Sequence, residues 1–105
     1  IKTVSAALVA HAGGGQALAT LLPSLVNIVA TTATAADSVI LPAITGDSTK
    51  CLEIYVLNNG ANAANVYPPA GQNFQFAGTN APNLLAGGGT SRIYRYLGGG
   101  VWTTV

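Results

Sequence analysis

Hydrophobic and polar positions alternate with a period of two in several short stretches, which is the pattern of a strand with two different faces. In 51–57, Leu52, Ile54 and Val56 alternate with Cys51, Glu53, Tyr55 and Leu57. In 90–97 one face carries Arg92, Tyr94 and Tyr96, and the other carries Ile93, Arg95 and Leu97. β-Branched residues dominate 26–32, and shorter runs occupy 39–41, 72–77, 83–86 and 101–105. Strands this short, separated by turn residues, predict an all-β fold, a small antiparallel β-sandwich or barrel of the jelly-roll kind.

Turn chemistry supplies the expected connections. Asn58-Asn59-Gly60 follows the strand at 51–57, and Asn-Gly is a strong hairpin signal because both residues tolerate positive φ. We therefore expect a hairpin with a second strand ending at Val66, which Pro68-Pro69 terminates for lack of amide donors. Gly46-Asp47-Ser48 predicts a turn, and Gly98-Gly99-Gly100 predicts a C-terminal hairpin.

The first fifteen residues differ from the rest. Residues 1–12 are mostly apolar and fit either a short strand or an extended arm, and Gly13-Gly14-Gly15 fits either an ordinary loop or a flexible hinge. We expect an N-terminal arm with a glycine hinge at 1–15 and a β domain at 16–105, in which 16–22 fits a strand or one helical turn. The residues expected to contact a neighbouring molecule through this arm are Ile1, Lys2, Val4, Leu8 and His11.

Charged residues make up only 7% of the 105 residues, against about 25% in a typical soluble domain. Dispersed monomers depend on charge, so the composition favours a chain covered by other copies of itself or by a membrane. A membrane span is disfavoured because Gly13-Gly14-Gly15, Pro23 and Asn27 interrupt the uncharged N-terminal third. The net charge of +1, with scattered basic residues, excludes strong electrostatic binding of nucleic acid.

Candidate chemistry is sparse. His11 is the only histidine and Cys51 the only cysteine, too few for the usual four-ligand zinc site. No serine lies in a nucleophile motif, and the glycine triplets lack the lysine of a phosphate loop. Cys51 is expected to be a buried apolar residue, with a reactive thiol or a link between chains as alternatives. We expect no enzymatic activity, no cofactor and no metal.

Aromatic and ionic residues in the C-terminal half are the remaining candidates. The aromatic side chains fit the core of a small β domain, contacts between subunits, or a platform for a sugar. Glu53 is expected to pair across strands with Arg92 or Arg95, at a seam between subunits. The candidates for a subunit interface are Glu53, Tyr55, Phe74, Phe76, Arg92, Tyr94, Arg95, Tyr96 and Trp102.

A family resemblance appears around the predicted turn at Asn58-Asn59-Gly60 and covers about residues 13 to 105. Val56–Gly71 runs as a hydrophobic strand, Asn-x-Gly-x-Asn at Asn58, Gly60 and Asn62, a short strand ending Val66-Tyr67-Pro68, and a glycine. Val39-Ile40-Leu41-Pro42 precedes this run, and Asn80-Ala81-Pro82, Leu84-Leu85-Ala86-Gly87-Gly88 and Trp102 follow it. In these features the chain resembles virion proteins of tailed bacteriophages, among them head-decoration, head-fibre and tail-fibre domains. Phe74 and Phe76 depart from that pattern, being bulkier.

The resemblance implies a structural role and a location. It implies a decoration (cement) or head-fibre protein on the outer surface of the phage head, assembled as a homotrimer and bound to the major capsid protein. The alternatives are a tail-fibre or spike module that binds host-surface glycan through its aromatic residues, and a secreted or pilus-like surface subunit.

Overall fold

The structure, a computed structural model, describes residues 2–44 and 51–105. Within these ranges the chain forms ten strands and no helix, which confirms the all-β prediction. The strands are β1 (Lys2–Val9), β2 (Thr20–Leu21), β3 (Ser24–Thr31), β4 (Asp37–Ile40), β5 (Glu53–Asn58), β6 (Ala64–Tyr67), β7 (Asn73–Phe74), β8 (Asn83–Leu85), β9 (Thr90–Gly98) and β10 (Val101–Thr104). Ile1 and the turn expected at Gly46-Asp47-Ser48 lie outside the described residues. In the described part of the chain, no helix of the length and apolarity needed to cross a membrane is found.

The strands form two sheets, and the chain winds between them. The first sheet has the order β1-β3-β5-β9-β10-β7 and the second the order β2-β4-β6-β8. From β1 to β6 each successive strand joins the other sheet, so each full winding of the chain adds one strand to each sheet. Val4 lies beside Val26, 22 residues later, and Val26 lies beside Tyr55, 29 residues later. Because the turns differ in length, the sequence shows no repeat of fixed period.

The expected antiparallel arrangement is wrong for most of the molecule. Of the eight strand pairings in the described part of the chain, five are parallel and three antiparallel. A strand that crosses to the opposite sheet and returns runs in its original direction, which gives parallel neighbours. The predicted C-terminal hairpin is confirmed: β9 and β10 pair antiparallel, and Gly98, Gly99 and Gly100 all have positive φ in the turn between them.

The predicted hairpin at Asn58-Asn59-Gly60 is wrong, because β5 and β6 lie in different sheets. Neither Asn59 nor Gly60 has the positive φ that a type I′ turn requires. The segment is instead a corner in which the buried Asn58 side chain accepts hydrogen bonds from Thr32 Oγ1 (2.8 Å) and Gly60 N (3.0 Å). Its Nδ2 donates to Asn62 O (3.0 Å) and Leu85 O (3.2 Å). The side-chain oxygen thus accepts two hydrogen bonds and the nitrogen donates two, so every hydrogen-bonding position of the amide is occupied. Asn58 therefore fixes the crossing of the chain from one sheet to the other.

The core lies between the two sheets. The first sheet contributes Val29, Ile54, Val56, Phe74, Tyr94, Tyr96 and Trp102, and the second contributes Val39, Val66 and Leu85, with Leu22 and Leu41 adjoining its strands. Each of these side chains has at most 1% of its surface exposed. Burial of one large apolar side chain stabilises the fold by about 1.5–3 kcal/mol. The inward positions of both sheets thus form one hydrophobic cluster.

An extended N-terminal arm is not confirmed, because Lys2–Val9 is strand β1 and pairs with β3 of the same chain. The connection that follows is also tied to the body. Ala10 N donates to Thr31 O (3.0 Å), and His11 and Ser38 exchange two backbone hydrogen bonds of 2.9 Å. The glycine triplet lies in the loop between β1 and β2, where all three residues have positive φ.

Cys51 is exposed, so the expectation of a buried cysteine is wrong. Its backbone N–H donates to Tyr96 O (2.7 Å), while its φ of 65° places it outside the regular strand geometry. The alternation of β5 therefore does not extend back to Cys51, and the Cys51 side chain does not reach the core.

Candidate functional site

Apolar side chains form a row on the outer side of the six-stranded sheet. In β5, Ile54 and Val56 are fully buried and point to the core, so Tyr55 between them points outward. The register places Val26 of β3 and Ile93 of β9 on either side of Tyr55. Beyond them, Val4 pairs with Val26, and Val105 N donates to Ile93 O (2.9 Å). The row consists of Val4, Val26, Tyr55, Ile93 and Val105.

A second row lies beside the first. Ile28 of β3 is paired with Leu57 of β5, and both are half-buried, outward-facing residues. We call the two rows together the apolar face: Val4, Val26, Ile28, Tyr55, Leu57, Ile93 and Val105. A sheet face in contact with water usually carries polar residues, and contiguous apolar patches on a protein surface mark interaction sites. The apolar face is therefore the candidate functional site.

The ion pair expected across strands is present at the border of this face. Glu53 and Arg95 are directly opposite each other in β5 and β9, and Arg95 Nε donates to Glu53 Oε2 over 2.9 Å. Their side chains are 42% and 38% exposed, so solvent screening limits the pair to about 0.2–1 kcal/mol. Among the charged side chains that the structure describes, only these two lie on this side of the sheet. The main effect of the pair is therefore that their opposite charges cancel.

Arg92, the other basic candidate, faces the opposite way. Its guanidinium donates to Asn83 Oδ1 (2.6 Å) and to Leu84 O (3.3 Å), both on β8 of the second sheet. The Tyr94 hydroxyl donates to the same Asn83 oxygen over 2.8 Å. Burial raises the pKa of Tyr94, which keeps the phenol protonated as a donor. Arg92 and Tyr94 therefore link the two sheets and are not available on the apolar face.

In the described strands, the outer side of the four-stranded sheet carries no charged side chain. Leu21, Ile40 and Tyr67 stand side by side on β2, β4 and β6. Leu84 on β8 is paired with Asn65, and its side chain is 57% exposed. Apolar residues thus occupy the outer surfaces of both sheets.

Four of the aromatic interface candidates belong to the core. Phe74, Tyr94, Tyr96 and Trp102 have at most 1% of their surface exposed within the single chain, so they present no side-chain surface to another subunit. Trp102 Nε1 donates to Gln72 Oε1 (2.8 Å), and Tyr96 Oη accepts a hydrogen bond from Gly100 N (3.0 Å). The predicted interface role of these four side chains is therefore replaced by a role in the core.

Phe76 and Tyr55 remain on the surface. The ring of Phe76 stacks on that of Phe74, with centroids 5.4 Å apart and an interplanar angle of 4°, and Phe76 is 53% exposed. Tyr55 is half-buried at the centre of the apolar face. An interface role for these two residues stays a prediction.

The N-terminal candidates have different surroundings. Val4 is 54% exposed at the edge of the apolar face, whereas Leu8 packs against the core cluster. His11 is half-buried beside Ser38. Ile1 lies outside the described residues, and the structure does not describe the Lys2 side chain.

Residues 2–44 and 51–105 contain no pocket and no cluster of three or more potential metal ligands. The buried Asp37 accepts hydrogen bonds from Gly13 N (3.2 Å) and Thr34 N (3.0 Å), the backbone-binding role expected of an Asp in a turn. Asp47 lies outside the described residues.

Val26, Ile28, Leu57, Ile93 and Val105 were not among the residues expected at an interface. The signal that marks them is the apolar character of both parities in β3 and β5, where Leu25-Val26 and Ile28-Val29 are adjacent apolar pairs. Such runs are typical of strands covered on both faces. Here one of the two faces is not covered within the described chain.

No protein-family model, curated protein or solved structure matches this chain.

Proposed function

We propose that this protein is a non-enzymatic structural subunit that functions in an assembly of its own copies, as part of a phage virion. The observation that carries the proposal is the apolar face of the six-stranded sheet, which Glu53 and Arg95 border as a self-neutralising pair. A surface of this kind is stabilised when another protein covers it, at about 25 cal/mol per Å² of apolar area removed from water. Interfaces of obligate assemblies bury on the order of 2,000 Å² or more.

The virion context comes from the sequence resemblance. A decoration or head-fibre protein on the outside of the head, bound to the major capsid protein as a trimer, is the form that the resemblance implies. It is favoured over a glycan-binding fibre module because four of the seven aromatic side chains, those of Phe74, Tyr94, Tyr96 and Trp102, are buried and offer no ring to a sugar, which leaves Tyr55, Tyr67 and Phe76 at the surface. The small two-sheet architecture, sandwich-like with one core, suits a subunit that packs through its outer faces.

Multi-angle light scattering of the purified protein over a range of concentrations tests the assembly. We expect a defined oligomer at micromolar concentration that Ile93→Lys, which places a charge at the centre of the apolar face, dissociates. Thr79→Lys, in an exposed loop away from both sheets, is the matched control and leaves the mass unchanged. A monodisperse wild-type monomer, or equal behaviour of the two variants, contradicts the proposed role of this face.

Electron microscopy of labelled phage particles tests the location. Label distributed over the head surface is the expected result, label confined to the tail supports the fibre alternative, and particles without label contradict a virion protein. Deletion of residues 1–12 is unsuitable for this purpose because it removes β1 and bares the edge of β3.

A further inference from the structure

Strand β1 is the one long free edge in the described part of the chain. It has eight residues and its only paired neighbour in the sheet is β3, while the Thr20 hydroxyl of β2 donates to Val9 O (2.6 Å) at the end of the strand. The other edge strands, β2, β7 and β8, have two, two and three residues. An edge strand presents a row of backbone donors and acceptors that another strand can pair with. The length of β1 makes it the edge that best supports such pairing.

The edge of β1 carries few of the features that prevent pairing. The charged residue of β1 is Lys2 at its first position, and Thr3–Val9 contains no charged residue and no proline. Val4 and Val9 are 54% and 57% exposed. A bulge around Ala7, whose φ is 63°, shifts the register between Ser5 and Leu8. The bulge leaves the stretch up to Ser5 as the regular part of the edge.

We propose that β1 pairs with β1 of a second copy, antiparallel and around a two-fold axis close to Val4. This inference rests on the proposed function, since it adds a two-fold contact between copies to those that hold the proposed trimer. A second copy is the occupant that the edge favours, because Thr3–Leu22 carries no charge to repel an identical strand or to attract a charged partner. Each copy offers only one long described edge, so strand pairing between copies joins β1 to β1, and an identical pair is related by a two-fold axis.

The pairing continues the six-stranded sheet from one copy into the next. Val4 lies at the end of the row on the apolar face, so Val4 of one copy stands opposite Val4 of the partner. The two rows then join into one across the axis. Leu18 and Leu21, 73% and 54% exposed, lie in the segment that follows β1, in the loop before β2 and in β2 itself. A trimer held by other surfaces can use this contact only between trimers, so the number of copies that it joins is even.

A charge-swap experiment tests the axis directly. Like charges opposite each other across strands are destabilising and opposite charges are favourable. Val4→Lys alone and Val4→Glu alone are each expected to weaken association at least tenfold in sedimentation equilibrium, and an equal mixture of the two is expected to restore it. Leu84→Lys, at the equally exposed edge of the second sheet, is the matched control and leaves association unchanged. Circular dichroism establishes that each variant is folded.

Residue-resolved amide hydrogen exchange supplies an independent readout. Alternate amides of β1 point away from β3, and these are expected to gain at least tenfold protection when the protein is concentrated. No association at all contradicts both the proposed function and this inference. An assembly with an odd number of copies, a mixture no stronger than its components, or unprotected outward amides in the assembled state leaves the proposed function standing and overturns the β1 pairing.

Discussion

Replacing Asn58 with Ala is expected to be one of the most destabilising polar substitutions in the described chain. Its side chain makes four hydrogen bonds, to Thr32, Gly60, Asn62 and Leu85, at 2.8–3.2 Å, and has no exposed surface. Each such bond contributes about 1 kcal/mol net, and buried partners left unpaired cost more. Allowing for water entering the vacated space, we expect a loss of about 3–4 kcal/mol. For a chain of this length that corresponds to a decrease in Tm of about 15 °C.

Urea denaturation followed by circular dichroism measures this loss, which appears as a lower midpoint with an unchanged m value. Asn59→Ala is the matched control: Asn59 is exposed, so its substitution changes stability by less than about 0.5 kcal/mol. Asn58→Asp is expected to be at least as damaging as Asn58→Ala, because a carboxylate then faces the carbonyl oxygens of Asn62 and Leu85. If Asn59→Ala is the more damaging of the two alanine variants, the segment is a tight turn and the corner geometry is refuted.

Three further predictions concern close packing, ionisation and surface charge. Gly60→Ala is expected to lower the free energy of unfolding by on the order of 2–4 kcal/mol, because the added Cβ would lie too close to the backbone and side chain of Thr32. At Gly78 an added Cβ meets nothing within 4 Å, so Gly78→Ala is expected to change stability by less than about 1 kcal/mol. Thermal unfolding of the two variants compares these costs. Burial raises the pKa of Tyr94 above its ordinary value near 10, so the unfolded chain releases this proton at lower pH than the folded chain. The contribution of Tyr94 to the free energy of unfolding is therefore fully present below pH 10 and is lost as the pH rises above it. Urea denaturation from pH 8 to 11 measures this decline, which we expect to be flatter in Tyr94→Phe. Glu53→Gln is expected to cost less than about 1 kcal/mol at low salt and nothing measurable at 1 M salt, and a large loss by urea denaturation contradicts a solvent-screened pair.

The sequence predicts strands better than it predicts their partners. The β-branched run that contains Val26 and the alternation in β9 each correspond to a strand, and the glycines at 98–100 correspond to a hairpin. The partners of β5, however, are β9 and β3, and Val26 of β3 lies 29 residues before Tyr55. Asn-Gly is a short-range signal and carries no information on a contact so distant in sequence. Local turn chemistry therefore predicted a hairpin where the fold makes a crossing.

The candidate site was difficult to predict for a related reason. Leu57 and Ile54 are equally hydrophobic, and only the packing of the second sheet decides that Ile54 faces the core. The opposite error concerns aromatic residues of the core that were predicted to lie at an interface. Trp102 and Tyr96 each combine an apolar ring with a polar group, and such side chains fit an interface as well as a core. Their partners, Gln72 and the backbone of Gly100, supply the hydrogen bonds that make full burial possible. Such partners become apparent only when the strands are in place.

The two ends of the strand stack differ in a way that bears on assembly. At one end the antiparallel β9–β10 hairpin follows β5 in the first sheet, and Arg92 and Arg95 tie β9 to Asn83 and Glu53. At the β1 edge, the segment Thr3–Leu22 contains no charged residue and exposes four large apolar side chains, those of Val4, Val9, Leu18 and Leu21. Contiguous exposed apolar side chains mark contacts with other molecules. Introducing a charge at Val4 interrupts this patch, and for this reason we expect it to weaken association through β1 without lowering the stability of the fold.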